Sequence, residues 1–153
     1  VAKAIFNKYQ DTFEGKSFLQ NVRERKLAQV QEQLLFDILK PSNIKVSSVD
    51  RGILEIELRL HYQKILAIVD DIDCMEQLEA LAIKHDSFGP GSRIIITTRD
   101  KHLLKMLGVD TIYELPTMNR EEALQLLSWH AFRKNYPEEE YFELTRKIAD
   151  YCG

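Results

Sequence analysis

The sequence predicts an α/β fold, a parallel sheet with flanking helices followed by the start of a helical unit. Three observations carry that expectation. Ile65-Leu66-Ala67-Ile68-Val69 and Arg93-Ile94-Ile95-Ile96-Thr97-Thr98 are short, β-branched and free of polar alternation, as strands buried on both faces of a parallel sheet are. Stretches of helical periodicity separate the strand-like runs, the alternation that parallel sheets need for their crossovers. After Pro116 strand-like runs cease, and two helical patterns close the chain.

In chain order, Val1, Ile5, Phe6 and Tyr9 share one helical face. Gly15 breaks that pattern, and Ser17 to Val22 reads as a short strand. Leu27, Val30, Leu34 and Ile38 form an inward helical stripe that Pro41 ends. Ser42 to Ser48 is polar and reads as a loop; Asp50 is the expected cap of a helix burying Ile53, Ile56 and Leu60. The first apolar run ends in Asp70-Asp71, and Asp73 with Glu76 resembles a capping box ahead of Met75, Leu78 and Ala82. Gly89-Pro90-Gly91 is a turn, Asp100 caps a helix with Leu103, Leu104 and Leu107, and Gly108 stops it. Thr111 to Leu115 is expected as a fourth strand. Asn119 with Glu122 then opens a helix carrying Leu124, Leu127 and Ala131. Pro137 starts another, with Tyr141, Leu144, Ile148 and Cys152 on one side.

Composition narrows the function. The 153 residues suit one ordinary domain, and at ~150 residues about 68–70% of the unfolded surface is buried without disulfide staples. Twenty-one basic against 24 acidic side chains give a net charge of −3, which argues against a general nucleic-acid binder. Two cysteines, Cys74 and Cys152, make neither a disulfide framework nor a metal cluster, and read as small buried hydrophobes. No apolar run approaches the ~20 residues that span a bilayer, and no signal peptide opens the chain. The expected setting is therefore reducing and intracellular. The opening at Val1, without Met, reads as a piece of something longer.

Ligands of open α/β sheets bind beyond the carboxyl ends of the strands. Two runs end there in charge, Val69 into Asp70-Asp71 and Thr98 into Arg99. Carboxylates suit Mg²⁺ held through its waters, and a guanidinium matches phosphate oxygens. Asp73 and Asp100 are better explained as helix caps, whereas Asp70 still belongs to its strand. Gly89-Pro90-Gly91 precedes a strand and so is no phosphate cradle. His61, His85, His102 and His130 lack ligand spacing and belong on the surface, and Trp129 reads as core.

Four segments resemble the NB-ARC domain of plant disease-resistance proteins: Phe18 to Glu24 (FLQNVRE), Lys64 to Asp73 (KILAIVDDID), Phe88 to Leu104 (FGPGSRIIITTRDKHLL) and Tyr113 to Phe132 (YELPTMNREEALQLLSWHAF). They stand in the family's order along essentially the whole chain, and the Asp that closes Asp-Asp-Ile-Asp resembles the subclass with a Toll/interleukin-receptor domain. The resemblance implies a P-loop NTPase-like sheet whose first strand and phosphate-binding loop would lie before Val1. It implies a truncated nucleotide-binding α/β subdomain over residues 1–116 and the start of a helical ARC subdomain over 117–153.

It further implies that Asp70 faces Mg²⁺, that Asp71 is the catalytic carboxylate that positions or deprotonates a water, and that Thr98 and Arg99 bind the nucleotide, Arg99 reading the terminal phosphate of ATP. The implied function is an ADP/ATP switch of a cytoplasmic, or nuclear, immune receptor, at most a slow ATPase. Toll/interleukin-receptor and leucine-rich-repeat domains would be its partners within the receptor, with homo-oligomerisation on activation and no membrane or direct nucleic-acid contact. Two other classes are a non-hydrolysing interaction module and a related STAND-type signalling ATPase outside plant immunity.

Overall fold

A computed structural model describes residues 1–40, 44–84 and 87–152, without the side chains of Gln10 and Cys152. Seven helices are described: α1 (Ala2–Tyr9), α2 (Leu27–Leu39), α3 (Val49–Leu60), α4 (Met75–Ala80), α5 (Lys101–Leu107), α6 (Arg120–Phe132) and α7 (Phe142–Cys152). Three strands, β1 (Gly15–Leu19), β2 (Ile65–Ile72) and β3 (Arg93–Thr98), pair in parallel in the order β1-β2-β3. The predicted α/β class with its parallel sheet and flanking helices is what the chain adopts. Contacts divide it into two compact units, Val1–Thr111 and Ile112–Gly153.

In the first unit, strand alternation assigns the two sheet faces. Gly15, Ser17 and Leu19 are buried and share their face with Ile65, Ala67 and Val69, their partners in register, and with Ile94 and Ile96. This face meets α2, where the Ser17 hydroxyl donates to Asp37 at 2.7 Å, and it continues into a core with Leu34, Leu35, Ile56, Leu60 and Leu78. On the other face Phe18 meets Phe6 of α1 edge to face, ring centroids 5.6 Å apart, and Leu66 and Ile68 are buried. Ile5 and Phe6 are the half-buried residues of the predicted α1 stripe, while Val1 and Tyr9 are exposed.

Gln31 of α2, fully buried, joins three helices: its amide donates to the carbonyls of Val49 in α3 and Ala80 in α4, at 2.9 and 2.6 Å. Its Oε1 lies where a Cβ on Gly52 would stand, 2.0 Å away. Gly52→Ala is therefore expected to displace the amide and cost about 1–3 kcal/mol in a urea unfolding experiment, the range for overpacked interiors.

Several local expectations are corrected. Strand β1 starts at Gly15, not Ser17, and ends at Leu19, because Asn21 turns left-handed (φ 49°) and sends Val22–Glu24 into a 3₁₀ turn. Ser48, not Asp50, caps α3 by accepting from the Arg51 amide at 3.3 Å. Asp73 exchanges two hydrogen bonds with Gln77, not Glu76, at 3.0 and 2.8 Å. Cys74 is only half-buried at the start of α4, where partial burial pushes its thiol pKa up. Ala82 is buried but lies past α4 with φ 53°. Thr111 to Leu115 forms no strand: Tyr113 and Leu115 are exposed, and alternation alone cannot hold a strand without a hydrogen-bonded neighbour. Asp100 and Gly108 terminate α5 as expected, Gly108 with φ 69°. Pro41, Ser42, Asn43, His85 and the Cys152 side chain lie outside the described residues.

In the second unit α6 opens with the predicted capping box: Asn119 Oδ1 accepts from the Glu122 amide at 2.9 Å, and Glu122 accepts from the Asn119 amide at 2.8 Å. Leu124 and Ser128 of α6 and Thr145 and Ala149 of α7 are buried, with both hydroxyls turned back to carbonyls four residues earlier. Ala131 and Trp129, expected inside, are exposed, and so are Tyr141, Leu144 and Ile148. Arg120 forms a two-pronged pair with Asp150, tying the start of α6 to α7. That hydrogen bonding holds the Asp150 carboxyl below its ordinary value. A depressed carboxyl stabilises above its unfolded pKa, and the contribution fades as pH falls through the lower folded value. Thermal melts are expected to lose this share under strongly acidic conditions in the wild type but not in Asp150→Asn.

Candidate functional site

The parallel pairing of β1, β2 and β3 brings their carboxyl ends to one edge, where ligands of open α/β sheets bind. The end of β2 is irregular. Val69 pairs with Ile96 and Ile72 with Thr98, so β2 advances three residues where β3 advances two. The extra residue is absorbed by a bulge in which Asp71 takes a left-handed conformation, φ 61°. Strand β2 thus runs through both aspartates to Ile72 instead of ending at them.

The Thr97 hydroxyl of β3 holds this bulge. It accepts from the Asp71 amide at 2.9 Å and donates to Asp70 Oδ1 at 2.7 Å. One hydroxyl therefore fixes both the strained backbone and the carboxylate beside it. Asp71 is fixed again at its carboxylate: Oδ2 lies 3.3 Å from Nη2 of Arg23, which comes from the turn after β1. Asp70 and Asp71 are both half-buried, between the dry sheet and solvent.

Thr98 has a different place. Its hydroxyl accepts from the Asp100 amide at 3.0 Å, and Asp100 accepts from His102 at 2.8 Å, which shapes the bend between β3 and α5. Arg99 stands exposed on that bend. The structure thus unites Asp70, Asp71 and Thr97 directly, with Thr98 and Arg99 on the adjoining turn. Sequence reasoning ties neither Thr97 nor Arg23 to the two aspartates. The strand-end rule that finds Asp70 also finds Arg23, since β1 is parallel to β2 and reaches the same edge.

The donor set suits a nucleotide with Mg²⁺. Asp70 Oδ1 is occupied by Thr97, which orients the carboxylate and leaves Oδ2 for a hydrated cation. Among the described residues no group of three or more His, Cys, Asp or Glu could enclose a metal, so a cation here would rely on one carboxylate, water and phosphate. His61, His102 and His130 are exposed, as their spacing predicts. No described helix is long and apolar enough to cross a membrane.

Comparison with known proteins identifies the family. Residues 1–137 match the NB-ARC domain. The chain is 40% identical over 157 residues to "Disease resistance protein RUN1" of Vitis rotundifolia, covering 99% of this chain and 12% of that protein. "Disease resistance protein RPV1" of the same species is 41% identical over 99% of this chain and 11% of its own length. "TMV resistance protein N" of Nicotiana glutinosa is 37% identical over 99% of this chain and 14% of its own. The chain thus spans about an eighth of the length of such relatives. The match over residues 1–137 takes in most of the chain: this chain belongs to the NB-ARC domain family.

Proposed function

We propose that this segment is the nucleotide switch of a disease-resistance receptor, with residues 1–116 as the nucleotide-binding part and 117–153 opening the helical ARC part. The observation that carries the reading is the Thr97 hydroxyl, which orients Asp70 and anchors Asp71 at the carboxyl edge of the sheet. Asp70 holds Mg²⁺ through its free oxygen, Asp71 accepts a hydrogen bond from water, and Thr98 and Arg99 meet the terminal phosphate. Bound Mg²⁺ supplies charge neutralisation on the phosphates. A switch follows if ADP and ATP bind two receptor conformations with different affinity. The receptor acts in the cytoplasm, where its Toll/interleukin-receptor and leucine-rich-repeat domains read and transmit the state. Hydrolysis, where it occurs, is a slow timer.

One observation favours a second reading, an interaction module. The apolar side of α7 (Leu144, Ile148) and part of α6 (Leu126, Trp129) are exposed and offer a surface to another domain. The melting shift with Mg²⁺-ADP and Mg²⁺-ATP separates the two, measured on protein extended through the upstream phosphate loop and the downstream helices. Ligand at 100 times its dissociation constant stabilises by about 2.7 kcal/mol. A shift whose Mg²⁺-dependent part is lost in Asp70→Ala supports the switch; a folded protein that neither nucleotide stabilises supports the interaction module.

A further inference from the structure

We infer that Arg23 is a positioning residue for Asp71: it holds one carboxylate oxygen so that the other is kept aimed at the attacking water. The inference deepens the proposed function and rests on the reading of Asp71 as the water-orienting acid.

Arg23 is presented by a short, well-anchored turn. Asn21, left-handed at φ 49°, ends β1, and Val22 is fully buried in the core. The turn closes through Glu24 N to Asn21 O at 3.2 Å and Arg25 N to Val22 O at 3.1 Å. Arg23 thereby reaches across to β2, where its Nη2 meets Asp71 Oδ2 at 3.3 Å. Asp71 has left-handed backbone, uncommon outside glycine but open to aspartate, and here it is held on both sides. Thr97 holds the amide and Arg23 holds the carboxylate, so one end of the residue is fixed by β3 and the other by the turn after β1.

A pair with Arg23 38% and Asp71 25% exposed adds little to stability. Its consequence is orientational. Oδ2 is engaged, and Oδ1 remains to accept from a water. In hydrolysis that water's oxygen bonds to the γ-phosphorus as the bond to the β–γ bridging oxygen breaks; one of its protons stays on the inorganic phosphate, the other passes to solvent, and ADP is the leaving group. Misplacing a reacting group by ~1 Å can cost ~100-fold in rate. A carboxylate freed to rotate loses part of that.

The test uses the full-length receptor that carries this segment. Arg23→Gln is expected to slow single-turnover hydrolysis of Mg²⁺-ATP about 10-fold and to weaken binding of Mg²⁺-ADP-aluminium fluoride, which mimics the transition state, by a similar factor. Affinity for Mg²⁺-ADP stays unchanged, Arg23→Lys recovers part of both losses, and Arg23→Gln adds nothing in an Asp71→Asn background. Independent, additive losses in the double variant overturn the positioning role while leaving the hydrolytic reading intact. Equal weakening of ADP and of the fluoride complex also overturns it, because it marks a structural role. Asp71→Asn without effect on turnover overturns the hydrolytic reading and the inference together.

Discussion

Thr97→Val is expected to weaken Mg²⁺-dependent nucleotide binding by about 10- to 100-fold, the usual cost of losing a group that orients a metal ligand. Valine matches threonine in shape, so packing between β2 and β3 persists while two hydrogen bonds disappear. Asp70 loses the donor at Oδ1, and the left-handed Asp71 loses the acceptor of its amide. An amide left unsatisfied in a half-buried place adds about 1–3 kcal/mol of destabilisation. Thr97→Ser keeps both bonds and should retain most of the affinity. Calorimetric titration of the upstream-extended protein, with and without Mg²⁺, checks this. An equal fall in both arms would show that Thr97 serves the bulge alone and does not orient Asp70.

The parts of this site that are legible in the sequence are those that obey local rules. Uninterrupted β-branched runs announce β2 and β3, and the strand-end rule singles out Asp70, Asp71 and Arg99. The bulge is hidden, because Asp-Asp-Ile reads equally well as strand or loop until its register against β3 is seen. The Arg23–Asp71 pair is hidden for a related reason, since β1 and β2 come together only through the sheet. Ser48 and Asp50 are both competent caps. Only the structure shows which one acts, with the Ser48 hydroxyl accepting from the Arg51 amide. The periodicity of α7 shows which residues share a side. It cannot show that Thr145 and Ala149 are the ones buried while Leu144 and Ile148 stay exposed.

The other large effect concerns the outer edge of β3. Among the described residues β2 pairs on both sides, whereas β3 pairs on one. The strand is isoleucine-rich, its residues from Ile94 onward are half-buried, and Arg93 at its start is its one charge. Beside it runs an open groove of about 610 Å³, lined by Phe88, Pro90, Ile94, Ile96 and Leu107 among others. Unpaired backbone groups along an apolar strand are a template for a second chain. The 153 residues alone are therefore expected to self-associate at micromolar concentration, seen in sedimentation velocity. Ile95→Lys puts a charge in the middle of the edge strand, and should reduce association. A short chain that stays monomeric and unfolds in one cooperative transition would overturn the argument.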